Sequence, residues 1–424
     1  MTGFAKKQAA KYDGQTCQVL IDATLIVIPF KKNFFVMPSV ITREEFLQRT
    51  ALAGASLLLS SLNSFAISSY DKKIKVAVIG CGSVSGRYLP HLSGSPYVEL
   101  VSTCDIIYER AVNRAKEFNV PNSYPHIDQL LAGPPFDLMV TLTDMQEHEH
   151  LNRQALQSGK HVWSEKPMAN TYKAGKELLD YAKSKNLRFW GAPAVVNSPQ
   201  FAFMSKTIQD GKLGRLSCAH AHYGHLGPTW SAFFYEKGGG SLPDLGVYNL
   251  ATLTGLLGPA KYVSAMTSIV TNERTVDNKG KIKVEAEDNA MVLMDHGNGV
   301  LSHVQCGFNY FDPYGHEGKG QNQHTITVWG RGGNMGLIGY DWAPFGVDLA
   351  TTDHEQPETF VPDAKDYVWQ QGASVISRSL ATGEEPLINA EHALHVLEVI
   401  QAARESGDLG KKVKLESVFK YPLV

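Results

Sequence analysis

The stretch Lys73-Ile-Lys-Val-Ala-Val-Ile-Gly80-Cys-Gly82-Ser83-Val84-Ser-Gly86 constrains the fold most, because an apolar run breaks there into closely spaced glycines. The spacing predicts strand, tight turn and helix. Ile74 and Val76 to Ile79 suit a strand buried on both faces, since the alternation of a half-exposed strand is missing. Gly80 suits the turn and Gly82 lets backbone approach a phosphate. The phosphate charge then sits at the start of the next helix, with Ser83 and Val84 beside it. That helix carries Val84, Tyr88, Leu89 and Leu92 on one face; Ser85 stands where G-x-G-x-x-G has its third glycine, and Gly86 follows one place late. A second apolar run, Val98 to Cys104, ends in Asp105, 25 residues after Gly80. A carboxylate there accepts both ribose hydroxyls of NAD and repels the extra phosphate of NADP, so NAD is the expected cofactor. The rival is a glycine turn in some other α/β protein.

Strand and helix keep alternating after Asp105. Asp137 to Thr143, His161 to Ser164 and Leu187 to Ala192 read as strands. Helices carrying Ala111, Ala115 and Phe118, then Leu151, Ala155 and Leu156, then Ala174, Leu178 and Ala182 lie between them, with Asn170 as an N-cap. The expected architecture is α/β: an N-terminal doubly wound parallel Rossmann sheet over residues 71–193. From residue 194 the pattern changes. Leu216 to Tyr223, Tyr262 to Thr271, Ala290 to Met294, Val300 to Phe308 and His324 to Trp329 suit the strands of an open, mostly antiparallel sheet. This predicts a second, α+β domain over 194–424, closed by a helix at about 390–406 with Ala393, Val396, Leu397 and Ile400 inward.

The first seventy residues read as a leader. Residues 42–66 place a polar start before a short apolar core, and Ser64-Phe65-Ala66 fits a cleavage rule. Arg43-Glu44-Glu45-Phe46-Leu47 is similar to a twin-arginine signal with its second arginine replaced by Glu44. Met37 precedes it by six residues, so a true start at Met37 and an export signal over 37–66 are expected, with 1–36 a misplaced start. The expected location is periplasmic or exported, and cytoplasmic if the leader does not function. No membrane role remains after processing, since Val19 to Phe30 contains Asp22 and falls short of the roughly 20 residues a span needs. Forty basic against forty-two acidic residues call for no nucleic acid, and the five scattered cysteines for neither a disulfide framework nor a zinc site.

Chemistry-bearing residues sit at the ends of these elements. Glu165-Lys166-Pro167 ends the strand of His161, where open α/β sheets place their ligands. Gly238-Gly-Gly-Ser-Leu-Pro-Asp244-Leu-Gly-Val-Tyr248 opens a helix on which Asp244 and Tyr248, four apart, share a face. Glu147-His148-Glu149-His150 has the composition of a metal site, but adjacent residues do not share a helix face, so a solvated helix start with His148 near the cofactor is preferred and no metal is expected. His220 and His222 share one strand face, where ordinary burial is the preferred reading. His225, Trp230 and Tyr235, with the Asp312–His316 loop, are candidate sugar-binding groups. Seen alone, Lys166 would be a solvated strand end and Tyr248 a core aromatic.

Together, Gly80-x-Gly82, Asp105, Thr143 with His148, Glu165-Lys-Pro and the glycine run through Asp244 and Tyr248 resemble the Gfo/Idh/MocA oxidoreductase family over about residues 72–414. Tyr248 stands where most members carry histidine, Ala251 where they carry aspartate, and Asp144 where they carry proline. The tyrosine version resembles the branch of glucose-fructose oxidoreductase and the dihydrodiol dehydrogenases. The resemblance implies Lys166 as the residue holding the reacting oxygen, Tyr248 as general acid/base with its pKa drawn down by the ammonium, and Asp244 as orienter. It implies cofactor contacts from Gly80, Gly82, Ser83, Val84, Asp105, Thr143, His148, Glu165 and Lys166. The expected reaction moves a hydride between a sugar or sugar-derivative hydroxyl or carbonyl and nicotinamide, with the cofactor tightly held. The rivals are an NAD-dependent glycoside hydrolase acting through transient oxidation and a non-catalytic sugar sensor or partner-binding protein. A homo-oligomer, dimer or tetramer, is expected from the open sheet.

Overall fold

Six parallel strands build the nucleotide half, the central ones with side chains buried on both faces and the edge strand Asn122–Tyr124 half-buried. The computed structural model describes residues 73–311, 323–362 and 367–424, with the backbone of three strands at Lys11–Tyr12, Thr16–Ile21 and Thr24–Pro29 that pair antiparallel among themselves. The export signal over 37–66, the start at Met37 and the Asp312–His316 loop lie outside the described residues.

Strands β1 (Ile74–Ile79), β2 (Val98–Cys104), β3 (Asn122–Tyr124), β4 (Leu138–Thr141), β5 (His161–Ser164) and β6 (Phe189–Gly191) form a parallel sheet in the order β3-β2-β1-β4-β5-β6. The order reverses beside β1, so the cleft opens at the carboxyl ends of β1 and β4, as the rule for doubly wound sheets requires. Val76 and Val78 face one core and Ala77 and Ile79 the other, which is why β1 lacks alternation. Helices α1 (Ser85–Gly94), α2 (Tyr108–Glu117), α3 (Ile127–Ala132), α4 (His148–Gln157) and α5 (Tyr172–Ser184) cover the sheet. The cap of α5 is Thr171, whose side chain accepts from the Ala174 N–H, and not the expected Asn170, whose amide turns back to the Gln146 carbonyl.

After α6 (Pro199–Gln209) come β7 (Leu216–Gly224), a π-helical turn at Leu242–Gly246 continuing into α7 (Val247–Leu257), and strands β8 (Tyr262–Ser268), β9 (Glu273–Val276), β10 (Gly280–Lys283), β11 (Asn289–Gly297) and β12 (Val300–Gly307). The chain continues with β13 (His324–Gly330), β14 (Gly333–Tyr340), β15 (Ala343–Thr351), β16 (His354–Phe360), α8 (Gly372–Thr382), α9 (Ala390–Leu409) and β17 (Val413–Lys414). Strand β13 and helix α9 stand where the sequence pattern expects them; β14, β15, β16, α8 and β17 are elements it does not announce. The nine-stranded sheet runs β16-β15-β14-β13-β7-β12-β11-β8-β17, antiparallel except for the parallel pair β7 and β12.

One face of this sheet packs on α7 and α9; the other exposes Met266, Met291, Leu293, Leu301 and Trp329. His220 and His222 lie on that open face half-buried, so ordinary burial does not describe them; the Nδ1 atoms of His220 and its parallel neighbour His303 stand 2.9 Å apart. Helix α9 is buried on more than the one expected face. Leu394 and Leu397 join one core, and Val396, Val399 and Ile400 the other, because the helix lies between α5 and β6 on one side and α7 and β8 on the other. No helix among the described residues is long and apolar enough to cross a membrane.

Candidate active site

Gly80 sits at φ +90°, where a side chain would be strained, and a Cβ there would fall 2.5 Å from the Leu142 carbonyl carbon. Glycine alone lets β1 and β4 close up at the switch in strand order. A Cβ on Gly82 would meet nothing nearer than the Arg110 guanidinium at 4.0 Å, so the turn leaves room above it. Helix α1 has no side-chain cap and no acid in its first turn, so the positive end of its dipole meets an anion there without a competing carboxylate. At the end of β2 the Asp105 carboxylate, 7 % exposed, accepts from the Cys81 N–H and the Ile107 N–H, both at 2.8 Å. Each oxygen keeps a lone-pair direction for a ribose hydroxyl. A glycine cradle, an uncapped helix and an edge carboxylate fit a dinucleotide.

Loops after β4 and β5 carry the next residues. Thr143 is half-buried; its carbonyl faces His148 Nε2 at 3.0 Å, and Pro167 O faces His148 Nδ1 at 2.8 Å. His148 is thus buried and bridges two loops, in place of a uniformly solvated helix start, and burial pushes its pKa down. Among the described residues no group of three or more His, Cys, Asp or Glu side chains could hold a metal ion. The Glu165 carboxylate accepts from the Tyr88 hydroxyl at 2.7 Å and from the Lys166 N–H at 3.0 Å, and Trp163 Nε1 donates to the Tyr88 oxygen at 3.3 Å. Tyr88, which in sequence reads only as part of an apolar helix face, thereby fixes the acidic residue beside Lys166.

Lys166, Asp244 and Tyr248 meet. Lys166 Nζ donates to Asp244 Oδ1 at 2.7 Å and to the Asp244 carbonyl at 3.0 Å, and lies 5.2 Å from the centre of the Tyr248 ring. Asp244 is in the π-helical turn and Tyr248 in the first turn of α7, so the four-residue spacing is wound more loosely than in an α-helix, yet both side chains reach Lys166. Among the described residues no hydrogen bond engages the Tyr248 hydroxyl. Its pKa is raised well above the usual phenol value, first by burial and then by the charges of Glu165 and Asp244. This reverses the expectation that the ammonium would draw it down: the ammonium is paired with Asp244, and burial disfavours the phenolate.

The other expected residues divide. His225 is half-buried; its Nδ1 accepts from the Gly227 N–H at 2.9 Å and its ring lies 6.0 Å from that of Tyr223, itself 6.2 Å from Tyr248. Trp230 is exposed and packs edge-on against Phe233 and Phe234. Tyr235 is 1 % exposed, with its hydroxyl given to the Pro228 carbonyl at 2.6 Å and Arg274 over its ring, so it holds a loop and does not line the cleft. Residue type alone makes Tyr235 a candidate sugar group, and burial is the commoner fate of such a ring.

The model of the oxidoreductase family with an NAD-binding Rossmann fold matches residues 74–192, and that of the GFO/IDH/MocA C-terminal domain matches residues 201–335. The chain belongs to the Gfo/Idh/MocA oxidoreductase family. The family makes it an NAD-binding enzyme of the oxidoreductase class. This Gfo/Idh/MocA member is 25% identical to scyllo-inositol 2-dehydrogenase (NADP(+)) IolU of Bacillus subtilis over 78% of this chain and 96% of that one. It is 24% identical to trans-1,2-dihydrobenzene-1,2-diol dehydrogenase of Mus musculus, over the same shares of the two chains. Aldose-aldose oxidoreductase from Caulobacter crescentus, crystallised with glycerol, superposes with a TM-score of 0.70 at 21% identity, covering 81% of this chain and 100% of that one.

Proposed function

We propose that this enzyme oxidises or reduces a carbinol or carbonyl of a sugar or sugar derivative with NAD, using Lys166, Asp244 and Tyr248. The observation that carries the reading is the meeting of these three side chains, from β5 and the start of α7, at the cleft of the nucleotide sheet. Gly80, Gly82, Ser83, Val84, Asp105, Thr143 and Glu165 would hold the dinucleotide, with His148 fixing the Thr143 loop. The bound nicotinamide would supply the hydride acceptor or donor. Lys166, held by Asp244, presents its remaining N–H donor to the reacting oxygen. Tyr248, kept neutral by burial, gives its proton to a carbonyl being reduced and regains one from solvent; in the reverse direction it takes up the proton of the hydroxyl being oxidised as it releases its own to water. Asp105 favours NAD over NADP by charge.

The test is a panel of sugars, cyclitols and aryl glycosides followed at the nicotinamide absorbance. Turnover of a sugar with matching cofactor change supports the reading, and background rates across the panel overturn it. Nitrophenol release with no net cofactor change selects glycoside hydrolysis through transient oxidation instead. A protein that binds sugar but no dinucleotide would be a sensor.

The leader motivates two finer elements of the proposal: export, and a cofactor retained through purification because free NAD is scarce outside the cytoplasm. Mass spectrometry of the purified protein reads both, through the mature N-terminus and the dinucleotide that comes with it. The open face of the nine-stranded sheet, with Met266, Met291, Leu293 and Leu301 exposed, favours a homo-oligomer formed through that face. Light scattering that finds only monomer would remove that element.

A further inference from the structure

The turn between β14 and β15 carries Tyr340-Asp341-Trp342. Asp341 is 3 % exposed, and its Oδ2 accepts from Asn249 Nδ2 and Thr252 Oγ1, both at 3.0 Å. Both partners lie on α7, the helix that carries Tyr248, so one buried carboxylate ties two flanking aromatics to the helix of the general acid. Trp342 stacks on Tyr340 with ring centres 5.3 Å apart and planes within 11°, and Tyr340 tilts against Tyr223 at 4.6 Å. Tyr223 meets Tyr248 edge-on at 6.2 Å. Trp369 meets Tyr248 edge-on at 5.8 Å and Trp342 at 6.2 Å. The five rings close a circuit.

The circuit is graded. Tyr223, Tyr248 and Tyr340 are buried, while the two indoles are half-buried and form its rim. Trp369 opens the short turn Trp369–Gln371, which packs on α1, the helix that follows the glycine turn. It therefore reaches from the nucleotide side of the cleft to Tyr248. None of Tyr340, Asp341, Trp342 and Trp369 falls within residues 74–192 or 201–335, the parts matched to the family.

We propose that Trp342, stacked on Tyr340, forms the floor on which the ring of the reacting sugar lies, with Trp369 standing at 66° to it as a wall, and that this platform selects pyranoses or cyclic polyols with hydroxyls equatorial on the stacked face. The inference rests on the reading of this chain as a sugar oxidoreductase. An all-equatorial ring offers a continuous face of C–H groups, which matches a flat apolar indole in shape and polarity. An axial hydroxyl on that face would point into the indole and lose its water partners with nothing in exchange. Because Asp341 anchors one indole and α1 backs the other, the platform is already ordered before the sugar arrives, which lowers the cost of binding.

The test compares wild type, Trp342→Ala, Trp369→Ala and Trp342→Phe with a glucopyranoside and with an epimer bearing one axial hydroxyl on the stacked face. Dinucleotide binding serves as the readout of folding. Expected is a rise in KM for the glucopyranoside of about tenfold for each alanine variant, the size of one aromatic contact, with kcat falling less than KM rises. Trp342→Phe restores part of the loss, and discrimination between the epimers shrinks in both alanine variants. Alanine variants that bind dinucleotide and keep the wild-type KM and epimer preference overturn the platform while leaving the sugar reading in place. A wild type that binds dinucleotide, yet neither turns over sugars nor changes its tryptophan emission with them, overturns the sugar reading and the platform together.

Discussion

Lys166 and Asp244, seventy-eight positions apart in sequence, form an ion pair of 2.7 Å in which the ammonium also reaches the Asp244 carbonyl. Both side chains are 12% exposed, so the pair is neither a surface bridge of little consequence nor a fully desolvated one. The pairing occupies two of the three N–H donors of the ammonium, and on the function proposed above the third is the one offered to the substrate oxygen. It also explains why Tyr248 is not drawn toward its phenolate, since the nearest positive charge is already balanced.

Lys166→Met is therefore expected to lower kcat by about 10²–10⁴-fold, the usual worth of a positioned polar group at the reacting atoms, with dinucleotide affinity changed far less. Asp244→Asn should cost less, because the lysine stays. It should also move the pKa of Tyr248 downward, since the Asp244 charge is one of the causes raising it. Steady-state kinetics across pH check both; an Asp244→Asn enzyme whose alkaline limb moves upward would contradict the electrostatics.

Tyr248→Phe removes only the hydroxyl and keeps the ring contacts with Tyr223 and Trp369. The expected loss is about 10²–10⁴-fold in kcat. Thermal stability should hardly change, because among the described residues that hydroxyl makes no hydrogen bond whose loss would strand a partner. Single-turnover measurement with preloaded cofactor distinguishes this loss from slow product release.

Tyr88 donates to Glu165 within a buried group that also includes Trp163. Tyr88→Phe leaves one carboxylate oxygen without that donor and should destabilise the fold by roughly 1–3 kcal/mol in chemical denaturation. Glu165→Gln removes the charge that, after burial, contributes most to holding the Tyr248 phenol high, so its pKa should fall. An unchanged pH profile in Glu165→Gln would mean that Tyr248 does not govern the observed ionisation.

The local parts of this site are legible in the chain because short spacings encode them. Gly80 and Gly82 follow an apolar run, Asp105 ends the next strand, and Lys166 follows the strand of His161. The distant parts are not. Tyr88 meets Glu165 across 77 positions and Asn249 meets Asp341 across 92, and no local pattern marks either pairing. Strands β14 and β15 are broken by glycines, and β16 is exposed throughout and contains Pro357, so they lack the alternation that reveals a half-buried strand. The π-helical turn under Asp244 is likewise invisible to spacing.

Asp105 faces the space above the glycine turn with each oxygen already accepting one main-chain N–H. Asp105→Ser removes the negative charge that would repel a ribose phosphate. Affinity for NAD should fall and the preference over NADP should shrink by about tenfold or more, since a charge contact is worth on the order of 1.4 kcal/mol or greater at such a site. Titration of both dinucleotides checks it.

Asp341 contributes a pH dependence to the stability of the fold. Burial pushes its carboxyl up to about 6, against hydrogen bonds from Asn249 and Thr252 that pull the other way. The folded pKa is thus above that of the unfolded chain, near 4. Asp341 therefore favours the folded state fully below about pH 4, and this contribution is lost as pH rises through about 6. Asparagine does not titrate and keeps an oxygen to accept from Asn249 and Thr252. Between about pH 4 and pH 7 the stability of Asp341→Asn relative to wild type should rise by up to about 3 kcal/mol, the linkage value of such a shift. Denaturant midpoints of the two proteins at matched pH values read it directly. A difference that stays constant across that window would show that this carboxyl ionises alike in both states, and its burial under the Tyr340 and Trp342 turn would then have to be relieved by water in solution.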